Sequence, residues 1–438
     1  MKRSTIEALS PAELRLLLGR AQSTDSEVST TVREIFAEVS RNGDEALRAI
    51  TKRFDGADLT QIEVSSDEML FALQNVDPPV ANAIKSAAAN IKSFHQPQFP
   101  RTLQVKTAPG VVCSREWHAI ERVGLYIPGG TAPLVSTVLM LAIPARIAGC
   151  REIILCTPPR ADGSVSSSIL FAAVLLDVVG VYKVGGAQAV AAMSIGTQTI
   201  PKVDKIFGPG NRYVAEAKAI ASQPPYYTAV DLFAGPTELM VIADRTADPR
   251  LIASDLIAQA EHGEDSHVVL IALSAEVVDS VEREIAAQIG RCTRRATIER
   301  VLAKSHALIV ASIDEAIQFS NRYAPEHLLL AVRDSEHYTP QIMNAGSVFL
   351  GAETSSVFGD YVSGTNHTLP TMGTARSSGG VTVESFMKSI SFQTVSPEAA
   401  SAIADTAATL ANAEGLDGHA NAAGLRKQNS GVGKWSTR

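Results

Sequence analysis

Cysteine is scarce in this chain. Its 438 residues include four, Cys113, Cys150, Cys156 and Cys292, and none stands in C-x-x-C spacing. All four sit in or beside apolar segments, which argues against a disulfide framework and for reduced thiols in a cytosolic protein. The opening "MKRSTIEALSPAEL" lacks an apolar stretch of signal-peptide length. The most apolar region, 169–182, is broken by Asp177 and Gly180, so no segment reads as a bilayer span. These two absences imply a soluble cytoplasmic protein. Positive charge is not in excess either. The net charge of −7 and pI near 5.8 argue against nucleic acid or an anionic membrane as the main partner. Also missing is a G-x-G-x-x-G run after a strand, so any dinucleotide site is not of the standard kind. There is no short-period repeat, and only the last residues, "QNSGVGKWSTR", read as a loose tail.

The length exceeds one small core and implies several domains. The first hundred residues read as helical. Ser10 before Pro11 marks a helix start, and apolar residues recur at helical spacing in Ser26 to Phe54 and Asp67 to Phe94. From about Glu121 short strand-like runs alternate with alanine-rich stretches: "VGLYIP", "EIILCTP", "VYKVGG", "DKIFGPG" and "ELMVIAD". A second set follows: "HVVLIAL", "HALIVA", "HLLLAV" and "AGSVFLG". That alternation predicts βαβ units and mostly parallel sheets, in two α/β lobes. The helical start and the second set form one lobe, interrupted by the first set. After Phe392 the chain turns helical again, from Ser396 and Pro397. Glycine turns follow the first-set runs at Gly129-Gly130, Gly185-Gly186, Gly208-Pro209-Gly210 and Gly235-Pro236. Each alone could be an ordinary tight turn. Four in one lobe favour a bound nucleotide, because glycine lets backbone approach a ligand closely.

Candidate chemistry is scattered. "RYAPEHLLL" sets Glu326 and His327 at the head of an apolar run, where charge is ordinarily excluded. In "ADPRLIASDLIAQAEHGEDS" Asp248 caps a helix, Pro249 takes its first turn and Gly263 ends it. Gln259 and His262, three apart, share a face near its end. Asp360 and His367 lie in "GDYVSGTNHTLPT", a loop by its chemistry. Glu414 and His419 lie in "AEGLDGHANA". A polar helix end, a solvated loop and a polar helix junction would explain these residues equally well on local grounds.

Several longer stretches match one family. "VGLYIPGGTAP", "VGGAQAVAA", "PKVDKIFGPGN", "DLIAQAEHGEDS", "APEHL", "AGSVFLG", "GDYVSGTNHTLPT" and "EGLDGH" run in the same order in histidinol dehydrogenases, which this chain closely resembles over nearly its whole length. The resemblance implies two incomplete Rossmann-like α/β lobes with helical extensions, in a domain-swapped homodimer. The implied boundaries are a helical arm at 1–24, a metal and catalytic domain at 25–122 and 238–382, an inserted NAD-binding domain at 123–237, and a C-terminal arm at 383–438 that reaches the partner. Gln259, His262, Asp360 and His419 align with zinc ligands, His419 being supplied by the partner subunit. Glu326 and His327 align with the catalytic pair, and Tyr126, Gln188 and Asn211 with NAD contacts. Thr237, His367 and Glu414 fall at substrate contacts, joined by His327 and the zinc ligands. The implied reaction converts L-histidinol to L-histidine through L-histidinaldehyde with two NAD, the last steps of histidine biosynthesis.

The residue types suit that chemistry. Alcohol oxidation removes an O–H proton as hydride leaves carbon, and an imidazole is a fitting acceptor. The aldehyde must then gain water, and the neighbouring carboxylate can take that water's proton. Two imidazoles, one carboxylate and one neutral amide leave a zinc site with net positive charge, able to favour a developing alkoxide. The chain departs from the family in places. Thr237 stands where serine is commoner, Ser355 and Ser356 replace a Pro-Glu pair, and Phe358 is bulkier than usual. A paralogue acting on another amino alcohol or diol, a silent metal- or nucleotide-binding protein, and a cysteine-based aldehyde oxidation are the competing readings.

Overall fold

The structure, a computed structural model, describes residues 1–20, 26–129, 133–232 and 235–428. The end of the first arm, Gly130 and the tail from 429 onward lie outside the described residues. The chain divides into two units, one of residues 1–98 and 120–386, the other of 99–119 and 387–438. Its strands in chain order are β1 (Lys2–Thr5), β2 (Leu103–Ala108), β3 (Val111–Ala119), β4 (Arg122–Tyr126), β5 (Glu152–Cys156), β6 (Gly180–Tyr182) and β7 (Lys205–Phe207). They continue with β8 (Ala229–Val230), β9 (Glu238–Ala243), β10 (His267–Ala272), β11 (His306–Ile309), β12 (His327–Ala331), β13 (Ser347–Leu350) and β14 (Met387–Val395).

The larger unit holds two parallel sheets. One has the order β6-β5-β4-β7-β8, the other β1-β11-β10-β9-β12-β13. Every strand-like run read from the sequence is a strand here. The reason is burial on both faces, which makes a parallel strand continuously apolar. Alternate residues enter opposite cores. Leu239, Val241, Leu270 and Leu329 pack on one face with the helix Pro249–Ala260, while Met240, Ile242, Ile271, Leu328 and Leu330 pack on the other.

Some assignments differ. The first arm opens with the edge strand β1, paired with β11, before its capped helix Pro11–Gly19. The helices Ser26–Asn42 and Asp44–Asp55 pack with the five-stranded sheet rather than the six-stranded one. Val32, Ile35, Phe36, Leu47 and Ile50 share a core with Ile154, Val184 and Val190. The smaller unit is a three-stranded antiparallel sheet, β14-β3-β2, followed by the helices Pro397–Ala413 and Asp417–Gln428. Its strands Leu103–Ala108 and Val111–Ala119 thus join the C-terminal segment rather than the first lobe. No described helix is long and apolar enough to cross a membrane.

Candidate active site

Glu326 and His327 stand where β12 begins, 6% and 3% exposed. His327 falls on the same face of β12 as Leu329, so its ring enters the core beneath the helix Pro249–Ala260. It stacks there on Phe349, with centroids 5.8 Å apart. The Nδ1 atom lies 3.1 Å from the Glu238 carbonyl oxygen, an atom that can only accept. In neutral His327 the proton therefore sits on Nδ1, and Nε2 carries the lone pair. Nε2 is 3.5 Å from Asp360 Oδ1 and Nδ1 is 3.4 Å from Glu326 Oε2. Burial opposes charge on this imidazole. The Glu326 charge and the bonds to Asp360 and Glu326 outweigh it and hold His327 well above the usual range.

Glu326 is itself held. Its Oε2 accepts from the Thr237 hydroxyl at 2.6 Å and from the Glu238 N–H at 2.8 Å. Thr237 accepts in turn from Gln259 Nε2 at 2.5 Å. With its nitrogen so engaged, the Gln259 amide has its carbonyl oxygen to offer a cation.

Gln259 is buried in the last turn of the helix Pro249–Ala260, which Asp248 caps as the sequence suggests. That helix ends at Ala260, earlier than Gly263, and the exposed His262 lies in the turn beyond. Asp360 is not in a loop but near the end of the short helix Ser356–Tyr361. Burial disfavours its charge, yet the His327 bond and the charges of His327, His367 and His262 keep its carboxyl below the ordinary range. His367 Nε2 lies 3.2 Å from the Ser136 hydroxyl, and burial, opposed by Asp360, lowers its affinity for a proton. The chain thus brings Thr237, Gln259, Glu326, His327, Asp360 and His367 into one linked cluster, with His262 in electrostatic reach.

Glu414 and His419 belong to the smaller unit, at the end of one helix and the start of the next, both exposed. Among the described residues no three His, Cys, Asp or Glu side chains form a metal-holding group. The donors in the larger unit nevertheless suit a divalent ion: one amide oxygen, one ionised carboxylate and one exposed imidazole, short of a full set.

The second group lies on the five-stranded sheet. Tyr126 ends β4, Gln188 follows the Gly185-Gly186 turn after β6, and Asn211 follows the turn after β7. These are carboxyl ends around the β4–β7 switch in strand order, where α/β sheets bind ligands. Gly208 has φ +127°, and a Cβ there would collide with the Tyr126 carbonyl, so only glycine fits. Buried Lys218 donates to the Gly208 carbonyl at 2.6 Å and pairs with Asp231, whose other oxygen takes the Gly208 N–H at 2.8 Å. Burial pushes the Tyr126 phenol up to about 12, and its oxygen accepts from Gly186 N–H at 3.1 Å. Asn211 Oδ1 caps the helix Arg212–Ala221, leaving its amide N–H groups for a ligand.

The cluster around Glu326 breaks that positional rule, because Glu238, Glu326 and His327 sit at the amino ends of their strands. Reasoning from sequence also missed Glu238, Arg20 and Asp255. An acid heading the apolar run "ELMVIA" is the same signal as Glu326, on the strand that pairs with β12. Arg20 carried no local signal.

The family described as histidinol dehydrogenase matches residues 18–427. A curated histidinol dehydrogenase of Xylella fastidiosa (strain 9a5c) is 48% identical over 415 residues, covering 95% of this chain and 96% of the relative. One from Bacteroides fragilis (strain YCH46) is 48% identical over 396 residues, covering 90% and 92%. The crystal structure of histidinol dehydrogenase from Elizabethkingia anophelis superposes with a TM-score of 0.94 at 43% identity, covering 99% of both chains. The chain therefore belongs to the histidinol dehydrogenase family and is an NAD-dependent oxidoreductase.

Proposed function

We propose that the protein oxidises L-histidinol to L-histidine through L-histidinaldehyde, with two NAD, water and a zinc ion, in the cytoplasm. The observation that carries this is the buried Glu326–His327 pair, fixed by Thr237 and the Glu238 backbone with His327 Nε2 turned to Asp360. In the first step His327 Nε2 takes the alcohol proton while hydride passes from carbon to NAD. Water then adds to the aldehyde, with Glu326 accepting its proton. A second hydride leaves the resulting diol for the second NAD, and His327 again takes the O–H proton. Each such transfer contributes about 10²–10⁴-fold in rate.

Gln259, His262 and Asp360 would hold zinc, with His419 of the partner subunit as fourth ligand in a homodimer. When bound, zinc would polarise the substrate oxygen and fix its pose. An Asp360 carboxylate engaged by a cation would loosen its hold on the His327 proton, leaving Glu326 as the charge beside the imidazole. Thr237, His367 and Glu414 would contact the substrate. Tyr126, Gln188 and Asn211 would hold NAD, Tyr126 through its ring and Asn211 through its amide N–H. The inserted lobe at 123–237, with the helices Ser26–Asn42 and Asp44–Asp55 packed on its sheet, would be the NAD domain, 238–382 would carry the metal and catalytic residues, and 383–438 would be the arm to the partner.

The test is turnover with metal analysis on the same sample. The expected result is two NADH per histidinol, lost on strong chelation and restored by zinc. Full activity in metal-free protein would refute the zinc assignment, and no NADH from histidinol would favour a paralogous amino-alcohol or diol dehydrogenase.

A further inference from the structure

We propose that Glu238 and Arg20 are positioning residues of this active site, a buried ion pair that sets where Glu326, His327 and the His367 segment stand; this rests on the histidinol reading above. Glu238 is fully buried and Arg20 is 1% exposed. Arg20 Nη2 donates to Glu238 Oε2 at 2.7 Å. The same oxygen accepts from the Glu326 N–H at 3.3 Å, and Oε1 accepts from the Met372 N–H at 2.8 Å. The Glu238 backbone meanwhile donates to Glu326 Oε2 and accepts from His327 Nδ1. One residue therefore meets the catalytic pair three times and ties in the segment that carries His367.

Arg20 completes the clamp from the other side. Nη1 donates to the Tyr323 carbonyl at 2.9 Å and Nη2 to the Ala324 carbonyl at 3.3 Å, just before Pro325 and Glu326. Its guanidinium lies 3.8 Å from the Tyr323 ring centroid. A planar fork can make these contacts together, whereas a lysine point charge cannot.

Backbone strain gathers at the same place. Six non-glycine residues among those described have positive φ, and three of them meet here: Arg20 at 42°, Ala324 at 55° and Met372 at 57°. Such conformations persist where the surroundings over-determine them, and they cluster at functional sites. Three distant segments each bend unfavourably to reach one carboxylate or its partner.

Stability alone does not demand the pair, since apolar replacement of a buried ion pair is often neutral or stabilising. That separates positioning from scaffolding. The double variant Arg20→Met/Glu238→Leu removes both charges and the acceptors for the Glu326 and Met372 amides. We expect it to fold but to melt below the parent, because the Glu326 and Met372 amides lose their acceptor, with kcat for histidinol lower on the order of 10²-fold. KM for NAD should stay within about twofold, because the other lobe carries that contact. Hydrogen exchange at the Glu326 and Met372 amides should quicken. A folded double variant with kcat within about threefold of the parent overturns the proposal. Should it fail to fold, Glu238→Gln, equal in size but short of one acceptor, is judged by the same kcat criterion. A parent that gives no NADH from histidinol defeats the functional reading instead; unchanged amide exchange at Glu326 then still overturns the positioning role, and quickened exchange supports it.

Discussion

His327 closes one face of β12 while its ring keeps a nitrogen turned to Asp360. Replacing it with glutamine preserves much of the volume and removes the proton acceptor. His327→Gln should lower kcat by about 10²–10⁴-fold in NADH-formation assays, with KM for NAD little changed. A second residue gives a pH signature unrelated to catalysis. Asp55 ends the helix Asp44–Asp55, its Oδ2 is buried without a partner among the described residues, and burial raises its carboxyl from 3.8 to about 6. A negative charge at a helix C-terminus is unfavourable as well. Between those values the folded chain keeps a proton that the unfolded chain releases, so this residue's contribution is greatest below pH 3.8 and is lost as pH rises through about 6. Asp55→Asn should therefore melt above the parent at about pH 8, and the difference should close near about pH 4. Glu326 and His327 were legible in sequence because charge at the head of an apolar strand is anomalous. Arg20 was not, because its meaning depends on an acid 218 positions away.

Among elements, the short helix Ser356–Tyr361 shows what Ser355 does at its start. Ser355 caps it, accepting from the Val357 N–H at 3.2 Å, and donates its hydroxyl to the buried Asp255. Asp255 lies one turn before Gln259, and burial raises its carboxyl against the pull of Ser355. The bond thus ties the element carrying Asp360 to the element carrying Gln259. Ser355→Ala should lower stability by about 1–2 kcal/mol in urea denaturation, from the lost cap and an unpaired buried acid. Adding Asp255→Asn should recover part of that loss, and no recovery would show that Asp255 is not the sensor of the change. The parallel strands were plain in the sequence because both faces are buried. Strands β2, β3 and β14 were not, because they are exposed or half-exposed almost throughout and so lack an alternating pattern. The reach of the helices Ser26–Asn42 and Asp44–Asp55 into the other lobe's core was equally hidden, since an amphipathic face does not name its partner.

For the whole molecule, the shared-site proposal has each chain complete the other's site. His419 sits in the smaller unit, and the larger unit supplies an incomplete donor set. The shared-site proposal predicts complementation between two inactive variants. A dimer of one His327→Gln chain and one His419→Asn chain would hold one fully native site. Equal mixing through refolding should thus restore roughly a quarter of parental activity, as half the dimers are mixed and one of their two sites is intact. No restoration, with mixed dimers present, would mean that each chain uses its own His419. The fold class and the parallel strands along the chain were legible at this scale, whereas the joining of 99–119 to the C-terminal segment was not, because pairing across hundreds of residues leaves no local trace. The Arg20–Glu238 clamp has a last consequence, for how the chain is made. Translation releases the N-terminus first, so Arg20 waits for an acid 218 residues downstream, roughly 10–45 s at about 5–20 residues per second. Through that interval the first arm cannot dock, and the nascent chain presents its Leu17 and Leu18 side of the Pro11–Gly19 helix to whatever chaperones attend the ribosome.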